Sequence, residues 1–391
     1  MLVASSTPLD QYLIRHPEFF SAATPEQARI HPDQALILLD HIRCAAFELP
    51  FLRGELFGPN DATPFLEVLG ETEVLHQENG RWEWIADSYP ANAVSLRSVA
   101  DGNFVVVDRS EGRQQIIAEV DYSAAALTLY EGAIHMIQAT PYQVEKLDWE
   151  GRKAYVTRTH VDYYTDAIDY TKLKVLERFD GANAGAGNAQ HGEVHVLRRV
   201  PGYKKIRYYT HENIGYGPIT LPDHEMHTSA VWWQLPQAAL ERAFTSRQEA
   251  LDGFLGAAYA LHIVATVAVM AEARDLQKAV GSGDGGWFAV SDSRGRGQLR
   301  TPDGAPAAPE QASAFTPTVF LYDNFPGGVG LSEPLWRRQA ELVRLARDLV
   351  AACDCRGGCP ACVGPVLAAD EDRERSPRAL AAQVLSLLAS P

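Results

Sequence analysis

Apolar residues in the first part of the chain recur at helical spacing and are followed by a short hairpin signal. In residues 33–49, with Asp33 as the expected N-cap, the apolar positions lie three or four apart: Leu36, Leu39, Ile42, Ala46 and Leu49. A second helix is predicted in PFLEVLGETEVL, and the Asn79-Gly80 pair then predicts a hairpin turn. Two helices and a two-stranded wing are typical of winged-helix modules. We therefore predict a helical linker and a winged-helix-like segment over residues 1–90.

The middle of the chain, residues 91–230, alternates between apolar and polar positions. Runs such as FVVVD, KAYVTRTHVDYY and EVHVLRRV are separated by Gly, Asp and Asn, which is the pattern of half-buried strands. The sequence predicts a strand-rich small barrel or sheet here. The glycine- and alanine-rich tract at 181–192 is predicted to be a flexible loop between two of these strands.

Helical spacing returns over residues 231–391, so the C-terminal part is predicted to be mostly helical. The apolar stretch at 254–271 is interrupted by His262 and rich in alanine, which favours a buried helix over a membrane span. Small, polar and proline residues at 281–314 predict a mobile insertion. A buried strand in TPTVFLYD, a helix at 333–351 and a last helix that begins at Ser376-Pro377 complete an α+β fold.

Length and charge narrow the class of protein. A chain of 391 residues is longer than a domain with a single hydrophobic core usually is, so we predict two or three domains. The formal net charge of −15 repels a polyanion, so any nucleic-acid binding would require a local basic patch. The N-terminal residues lack the basic and apolar regions of a secretory signal, and we expect a cytoplasmic protein.

A metal site is predicted in the run CDCRGGCPAC, which holds four of the five cysteines: Cys353, Cys355, Cys359 and Cys362. Four thiolates complete the tetrahedral shell of a structural Zn²⁺ without leaving a position for substrate. Gly357 and Gly358 are expected to supply left-handed backbone angles to the loop. An iron-sulfur cluster also accepts four thiolates. Two local disulfides are the other alternative, which the strained ring of a C-x-C bridge disfavours.

Other chemistry in the sequence is weaker. The chain has no G-x-x-x-x-G-K-[ST] phosphate loop, G-x-S-x-G elbow or H-E-x-x-H helix, so no catalytic set is predicted. In YDNFPGGVGLSE the glycines could present amides to an anion, but Asp323 would repel phosphate, which favours a tight turn. His224 and His227 could share one helical face as metal ligands. With no third ligand nearby, a hydrogen-bonded structural role is favoured.

A candidate nucleic-acid surface lies in RRVPGYKKIRYY, where cations alternate with aromatic rings. Cations follow a phosphate backbone and rings stack on bases, which gives these candidates: Arg198, Arg199, Tyr203, Lys204, Lys205, Arg207 and Tyr208. The alternative is an ordinary solvated pair of strands.

Several motifs together resemble a known family. In chain order, HTSAVWW, the apolar helix that leads to Asp275, YDNFPGGVGLSE and CDCRGGCPACVG resemble the zinc-binding domain of the mitomycin repair factor A (MrfA) helicases. Upstream, PLDQYLIRHPEFF, ARIHPDQALILLDHIRCAAFELPF and the barrel-like middle are similar to the region after the second motor domain of these superfamily 2 DNA helicases. The resemblance covers nearly the whole chain.

This resemblance implies a bacterial, ATP-dependent 3'-to-5' DNA-repair helicase whose zinc is held by the four cysteines. Both RecA-like motor domains and every helicase motif are missing from the sequence. ATP and Mg²⁺ would therefore bind to motor domains in the same protein or on a separate chain. The expected partners are single-stranded DNA and those motor domains, with no membrane. The alternative is a zinc-stabilised interaction scaffold, such as the partner subunit of a separate helicase chain in phage defence, and the acidic charge favours it.

Overall fold

The computed structural model describes residues 3–5, 8–22, 31, 33–92, 94, 102–291, 296–312, 314–366 and 374–389. Two short helices, α1 (Pro8–Arg15) and α2 (Glu18–Ser21), come first. Tyr12 of α1 packs against the hydrophobic core of the C-terminal domain. Helix α1 therefore lies against that domain, although the two are far apart in the sequence.

A winged-helix arrangement follows, as predicted. Its elements are α3 (Ala35–Glu48), β1 (Phe51–Leu52), β2 (Leu56–Phe57), β3 (Asn60–Asp61), α4 (Thr63–Glu71), β4 (Leu75–Glu78) and β5 (Arg81–Trp84). Strands β1, β5 and β4 form one sheet, and the β4–β5 turn has the positive φ angles of Asn79 (49°) and Gly80 (78°). The helices and the sheet enclose Ile42, Leu66 and Trp82. The N-cap of α3 is Gln34 and not Asp33.

The middle of the chain forms a small five-stranded sheet with one helix. Its elements are β6 (Asn103–Asp108), β7 (Gln115–Asp121), α5 (Tyr122–Thr128), β8 (Ile134–Ile137), β9 (Thr140–Asp148) and β10 (Lys153–Arg158). The strand order is β7-β6-β10-β9-β8, with β10 parallel to β6 and the other pairs antiparallel. This confirms the predicted strand-rich segment.

A nine-stranded sheet dominates the C-terminal domain. Its strands are β11 (Tyr163–Ala184), β12 (Gly187–Arg207), β13 (Asn213–Pro218), β14 (His224–Gln234), β15 (Leu276–Gly281), β16 (Phe288–Ser291), β17 (Gly297–Arg300), β18 (Pro306–Ala307) and β19 (Thr318–Asp323). The order is β11-β12-β14-β19-β15-β16-β17-β18, and β13 pairs with β12. We call the 22-residue β11 and the 21-residue β12 the ribbon. Tyr203 of the ribbon lies in the middle core, whereas Ala184 and Ala189 lie in the C-terminal core.

Five helices pack on one face of this sheet: α6 (Gln237–Ala243), α7 (Arg247–Val269), α8 (Ser332–Arg337), α9 (Gln339–Ala351) and α10 (Pro377–Leu388). Alternation along β14 shows which face they cover, because Val231 and Trp233 join the core with the helices, while Trp232 joins a second core on the opposite face. Of the described helices, α7 is long and apolar enough to cross a membrane. However, 72% of its most apolar window is buried, in agreement with the predicted core helix.

Two features of the C-terminal domain differ from the sequence prediction. The predicted boundary at 230–231 falls inside β14, and the ribbon belongs to the C-terminal sheet. The described residues of the segment 281–314, predicted to be a mobile insertion, include β16, β17 and β18, which extend the sheet. The polar composition of that segment gave no indication that Trp287 is a core residue. In the structure Trp287 is buried and stacks on Phe315 at 5.6 Å between ring centroids.

The predicted loop at 181–192 is also wrong, because these residues are paired strand. Only Gly185 and Ala186 form the turn of the ribbon, with Gly185 at φ 54°. The Ala186 amide donates a hydrogen bond to the Leu387 carbonyl at the end of α10 (2.7 Å). Small residues are needed here because the ribbon turn lies directly on another backbone.

Candidate metal centre and nucleic-acid surface

The four cysteine sulfurs converge on one point. All four Sγ atoms lie within 4.8 Å of one another, and the Cys353–Cys359, Cys355–Cys362 and Cys359–Cys362 pairs are 3.6, 3.6 and 3.7 Å apart. A tetrahedron with zinc–sulfur bonds of about 2.3 Å has edges of about 3.8 Å. A disulfide would need about 2 Å. The spacing fits four thiolates around one Zn²⁺. In the part of the chain that the structure describes, no other group of His, Cys, Asp or Glu side chains is placed to hold a metal.

Local backbone geometry makes this loop possible. Cys353 follows the end of α9, and the chain then turns back so that Cys362 is fully buried. Gly358 has a φ of 130°, and a Cβ there would lie 2.7 Å from Val363 Cγ2. Gly357, in contrast, does not have a positive φ, so only one of the two predicted glycines adopts the left-handed region.

Arg378, in the first turn of α10, ties the metal loop to two helices. Its guanidinium donates hydrogen bonds to the carbonyls of Val350 (3.0 Å), Ala351 (2.9 Å) and Cys355 (2.7 Å). The first two carbonyls belong to the last turn of α9, where backbone acceptors lack partners within the helix. One side chain thus closes the end of α9 and fixes the loop between two metal ligands.

Glycines on α7 let the metal loop and α10 approach closely. A Cβ at Gly256 would lie 2.8 Å from Ala381 Cβ and 3.3 Å from Val363 Cβ, and a Cβ at Gly253 would lie 2.8 Å from the Leu380 carbonyl oxygen. Neither glycine could be replaced without moving a neighbour. The metal loop is therefore packed into the hydrophobic core of the C-terminal domain.

The protonation of the thiols explains why this cluster needs a cation. Burial raises the pKa of Cys362, so this thiol resists ionisation in the absence of positive charge. Burial alone would also raise the pKa of Cys353, but hydrogen bonds from Cys355, Cys359 and Arg15 outweigh it and lower this pKa to about 7. Burial and the charges of Cys359 and Cys362 raise the pKa of Tyr259 beside them. A bound Zn²⁺ would hold all four sulfurs as thiolates.

The glycine loop at residues 326–331 directs its amides to the carboxylate of Asp323, at the end of β19, and not to a ligand. Asp323 Oδ2 accepts hydrogen bonds from the amides of Val329 (2.9 Å) and Leu331 (3.0 Å). Burial raises the pKa of Asp323 to about 6. Gly328, at φ 76°, has no room for a side chain, because a Cβ would lie 2.5 Å from Ser229 Oγ. This geometry agrees with the predicted tight turn.

The two histidines considered as a metal pair lie on a strand and not on a helix. His224 and His227 are three positions apart in β14, so they point to opposite faces of the sheet. His227 Nδ1 lies 3.5 Å from Glu193 Oε1, and burial lowers the pKa of His224. They do not form a joint metal site.

Three of the candidate nucleic-acid residues are engaged within the protein. Arg198 is mostly buried and bonds to Asn324 Oδ1 (3.2 Å), and Arg199 makes a two-pronged ion pair with Asp223 (2.8 and 2.6 Å). Tyr203 is buried against Tyr130 at 4.9 Å between ring centroids. These residues alternate between the two faces of β12 and do not form one surface.

The remaining candidates lie near one end of the ribbon. Lys204 pairs across the ribbon with Asp166, Lys205 Nζ lies 5.5 Å from the Tyr163 ring centroid, and Arg207 makes ion pairs with Asp162 and Glu212, both at 3.3 Å. Their positive charge is thus partly neutralised by neighbouring carboxylates.

The turn beyond β12 exposes aromatic rings, of which Tyr208 and Tyr209 belong to the predicted RRVPGYKKIRYY motif, whereas Tyr164 and Tyr216 lie outside it. Tyr209 is 97% exposed on a backbone with φ 66°, and Tyr216 of β13 is 69% exposed. Tyr164 lies 5.7 Å from Tyr208 between ring centroids. We call Tyr164, Tyr208, Tyr209 and Tyr216 the tyrosine turn. The adjacent tyrosines of the RRVPGYKKIRYY motif identified two of its four rings.

The fold combines a winged-helix arrangement with a four-cysteine centre, and comparison with known proteins shows that both resemble domains of helicases. Residues 257–363 match the MrfA Zn-binding domain, and residues 30–99 match the winged helix domain of the ATP-dependent helicase HRQ1. The chain is 38% identical over 376 residues to the uncharacterized ATP-dependent helicase YprA of Bacillus subtilis (strain 168), covering 96% of this chain and 46% of YprA. It is 25% identical to ATP-dependent helicase HRQ1 of Saccharomyces cerevisiae (strain ATCC 204508 / S288c), covering 93% of this chain and 33% of HRQ1.

Solved structures agree with these relatives. A crystal structure of the DUF1998 helicase MrfA bound to DNA has a TM-score of 0.55 and 36% identity, and it covers 99% of this chain and 47% of that chain. A crystal structure of MrfA has a TM-score of 0.59 and 33% identity, covering 93% and 47%. The chain is similar to part of MrfA-type helicases, and it contains regions that match a zinc-binding domain and an HRQ1-type winged helix. It spans less than half the length of these relatives.

Proposed function

We propose that this chain is the C-terminal accessory region of an ATP-dependent 3'-to-5' DNA-repair helicase and that it binds and guides single-stranded DNA. The observation that carries the proposal is the match to DNA-bound MrfA over 99% of the chain. The family resemblance supports the polarity and a bacterial source, and the N-terminal sequence supports a cytoplasmic location. ATP and Mg²⁺ would act on motor domains, in cis or in trans.

We assign the binding of single-stranded DNA to the end of the ribbon that holds Lys204 and Lys205. Lys204 and Lys205 supply the cations, and the tyrosine turn supplies rings on which bases can stack. Stacking contributes about 1–3 kcal/mol per base and tolerates any sequence, which suits a strand that moves past the protein. Because carboxylates offset much of the local positive charge, stacking would contribute more here than charge.

The zinc centre has a structural role in this proposal. It joins α9, α10 and the core helix α7, and the ribbon turn in turn lies on the end of α10. By analogy with zinc-finger peptides, metal binding contributes folding free energy on the order of 10 kcal/mol. The metal would thus stabilise the turn of the ribbon at Gly185, while the opposite end of the ribbon would bind single-stranded DNA.

The test is a salt-dependent titration of the full chain with a fluorescent single-stranded oligonucleotide. Replacing both Lys204 and Lys205 with Glu should weaken binding and flatten its salt dependence, because counterion release falls with each lost phosphate contact. The matched control replaces Lys146 and Lys153 of the middle sheet with Glu, which changes the net charge equally at another place. Equal losses in the two variants, or no binding by the native chain at low salt, would contradict the proposal.

The net charge of −15 favours a second candidate, a zinc-stabilised scaffold that binds a separate helicase chain. Such a protein would bind no oligonucleotide at low salt, and its binding to motor domains would be measured directly. The same titration therefore separates the two functions.

A further inference from the structure

A cleft of about 960 Å³ opens where the ribbon, the glycine loop and α8 meet. Its wall includes two aromatic side chains, Phe179 and Trp336, and its polar lining includes His191, Ser229 and Ser332. We call this the aromatic cleft. It lies apart from both the metal loop and the tyrosine turn, and nothing described above uses it. Its size is within the range of sites that bind small molecules or parts of larger ones.

The rings in the cleft are arranged to receive another flat group. The His191 and Trp336 rings are nearly parallel, at 15° and 6.1 Å between centroids, and Phe179 meets His191 edge-on at 5.5 Å. Phe179 is nevertheless 52% exposed, so much of its apolar surface faces water. A planar ligand would cover that surface and gain stacking contacts.

The polar groups of the cleft are only partly paired. His191 is 8% exposed, its Nε2 lies 3.3 Å from Ser332 Oγ, and its Nδ1 has no hydrogen-bond partner among the described residues. The Ser332 hydroxyl bonds to Ser229 Oγ (2.7 Å). Burial lowers the pKa of His191, which favours the neutral ring, and a neutral imidazole carries one donor and one acceptor. Such a site recognises a ligand by hydrogen bonds and not by charge.

The charges at the rim exclude a phosphate from the interior. Asp180, Glu193 and Glu333 line the cleft, and the cation Arg337 already pairs with Glu333. Carboxylates repel phosphate oxygens but accept hydrogen bonds from amino groups, as Asp and Glu do from the amino group of cytosine. The ligand that fits is flat, uncharged and rich in amino donors.

We propose that the aromatic cleft binds one unstacked, amino-bearing nucleobase of single-stranded DNA, while the phosphates of that nucleotide remain outside. The inference rests on the proposed function, because it assumes that the strand reaches this domain. Stacking against Phe179 and Trp336 would hold the ring, and the rim carboxylates would favour cytosine or adenine over thymine.

The experiment uses single-stranded oligothymidylates of roughly 12 nucleotides that differ at one central position, which is cytosine, thymine or abasic. Affinity for the full chain is measured by fluorescence anisotropy. We expect the central cytosine to bind about tenfold more tightly than the abasic site, and measurably more tightly than thymine. Phe179→Ala should abolish this difference. Because Phe179 is exposed, the substitution should leave the fold intact, and Phe20→Ala, at another exposed phenylalanine that does not line the cleft, should change nothing.

Photo-crosslinking provides a second readout. A 5-iodocytosine at the central position should crosslink to Phe179 or Trp336, as mapped by mass spectrometry. If all three oligonucleotides bind equally, or if Phe179→Ala retains the preference, the cleft proposal is refuted and strand binding by the ribbon stands. If no oligonucleotide binds, both proposals fail.

Discussion

Arg378 offers the most direct test of how the zinc domain is held together. In Arg378→Ala, the carbonyls of Val350, Ala351 and Cys355 lose their donor. Hydrogen bonds to a charged donor contribute about 1.5–3 kcal/mol each, and water can replace the bond to the exposed Ala351. At the lower end of that range, the two remaining bonds predict a loss of about 3 kcal/mol in the free energy of unfolding. If the loss falls on the folded, metal-binding state, zinc affinity should drop by roughly a hundredfold.

The assay combines chemical unfolding with zinc release to a chromogenic chelator. Arg347→Ala is the matched control, because Arg347 lies on α9 and, within the described part of the chain, forms an ion pair with its neighbour Asp348 at 3.3 Å, where a surface ion pair contributes about 0–1 kcal/mol. A chain with Arg378→Ala that unfolds and releases zinc as the control does would refute the role given to Arg378.

Three further outcomes are expected. Cys359→Ser should yield protein that is zinc-free by elemental analysis and sensitive to protease, and a stable, metal-free variant would contradict the structural role of zinc. Burial raises the pKa of Asp323 from about 4 in the unfolded chain to about 6 in the folded one, so the stabilising contribution of this carboxyl is complete below about pH 4 and is lost as the pH rises through 6. Asp323→Asn should remove about 3 kcal/mol of this pH dependence in unfolding titrations, and an unchanged profile would exclude Asp323 as its source. Gly256→Ala should lower the melting temperature through overpacking of about 2 kcal/mol, whereas Gly283→Ala, with no atom nearer than 3.8 Å to the new Cβ, should not; equal melting temperatures would show that α7 and α10 can separate.

Local signals in the sequence predicted much of the fold and the metal centre. The helical spacing around Ile42 and the Asn79-Gly80 turn gave the winged helix, because both depend on neighbouring residues alone. The four cysteines gave the zinc site for the same reason, since one short loop supplies every ligand. Ser376 caps α10 as expected by accepting a hydrogen bond from the Ala379 amide.

Features that depend on distant partners were not predictable in this way. The small residues around Gly185 suggested a loop, but they are small because the ribbon turn touches α10, about 200 positions away in the sequence. Tyr203 looked like a stacking residue until its burial against Tyr130 was known. Spacing along one strand cannot reveal which ring faces a core and which, like Tyr209, faces water.

The ribbon has a consequence for dissecting the molecule. The family match begins at residue 257, inside α7, and ends at residue 363, before α10, so it omits the ribbon and β14. In a fragment cut at those residues, β19 would lose its neighbour β14. The unpaired edge of the sheet would then be exposed to solvent and would promote aggregation. The smallest piece that could stand alone must keep both long strands, and it therefore carries with it the apolar side chains that these strands contribute to the middle sheet.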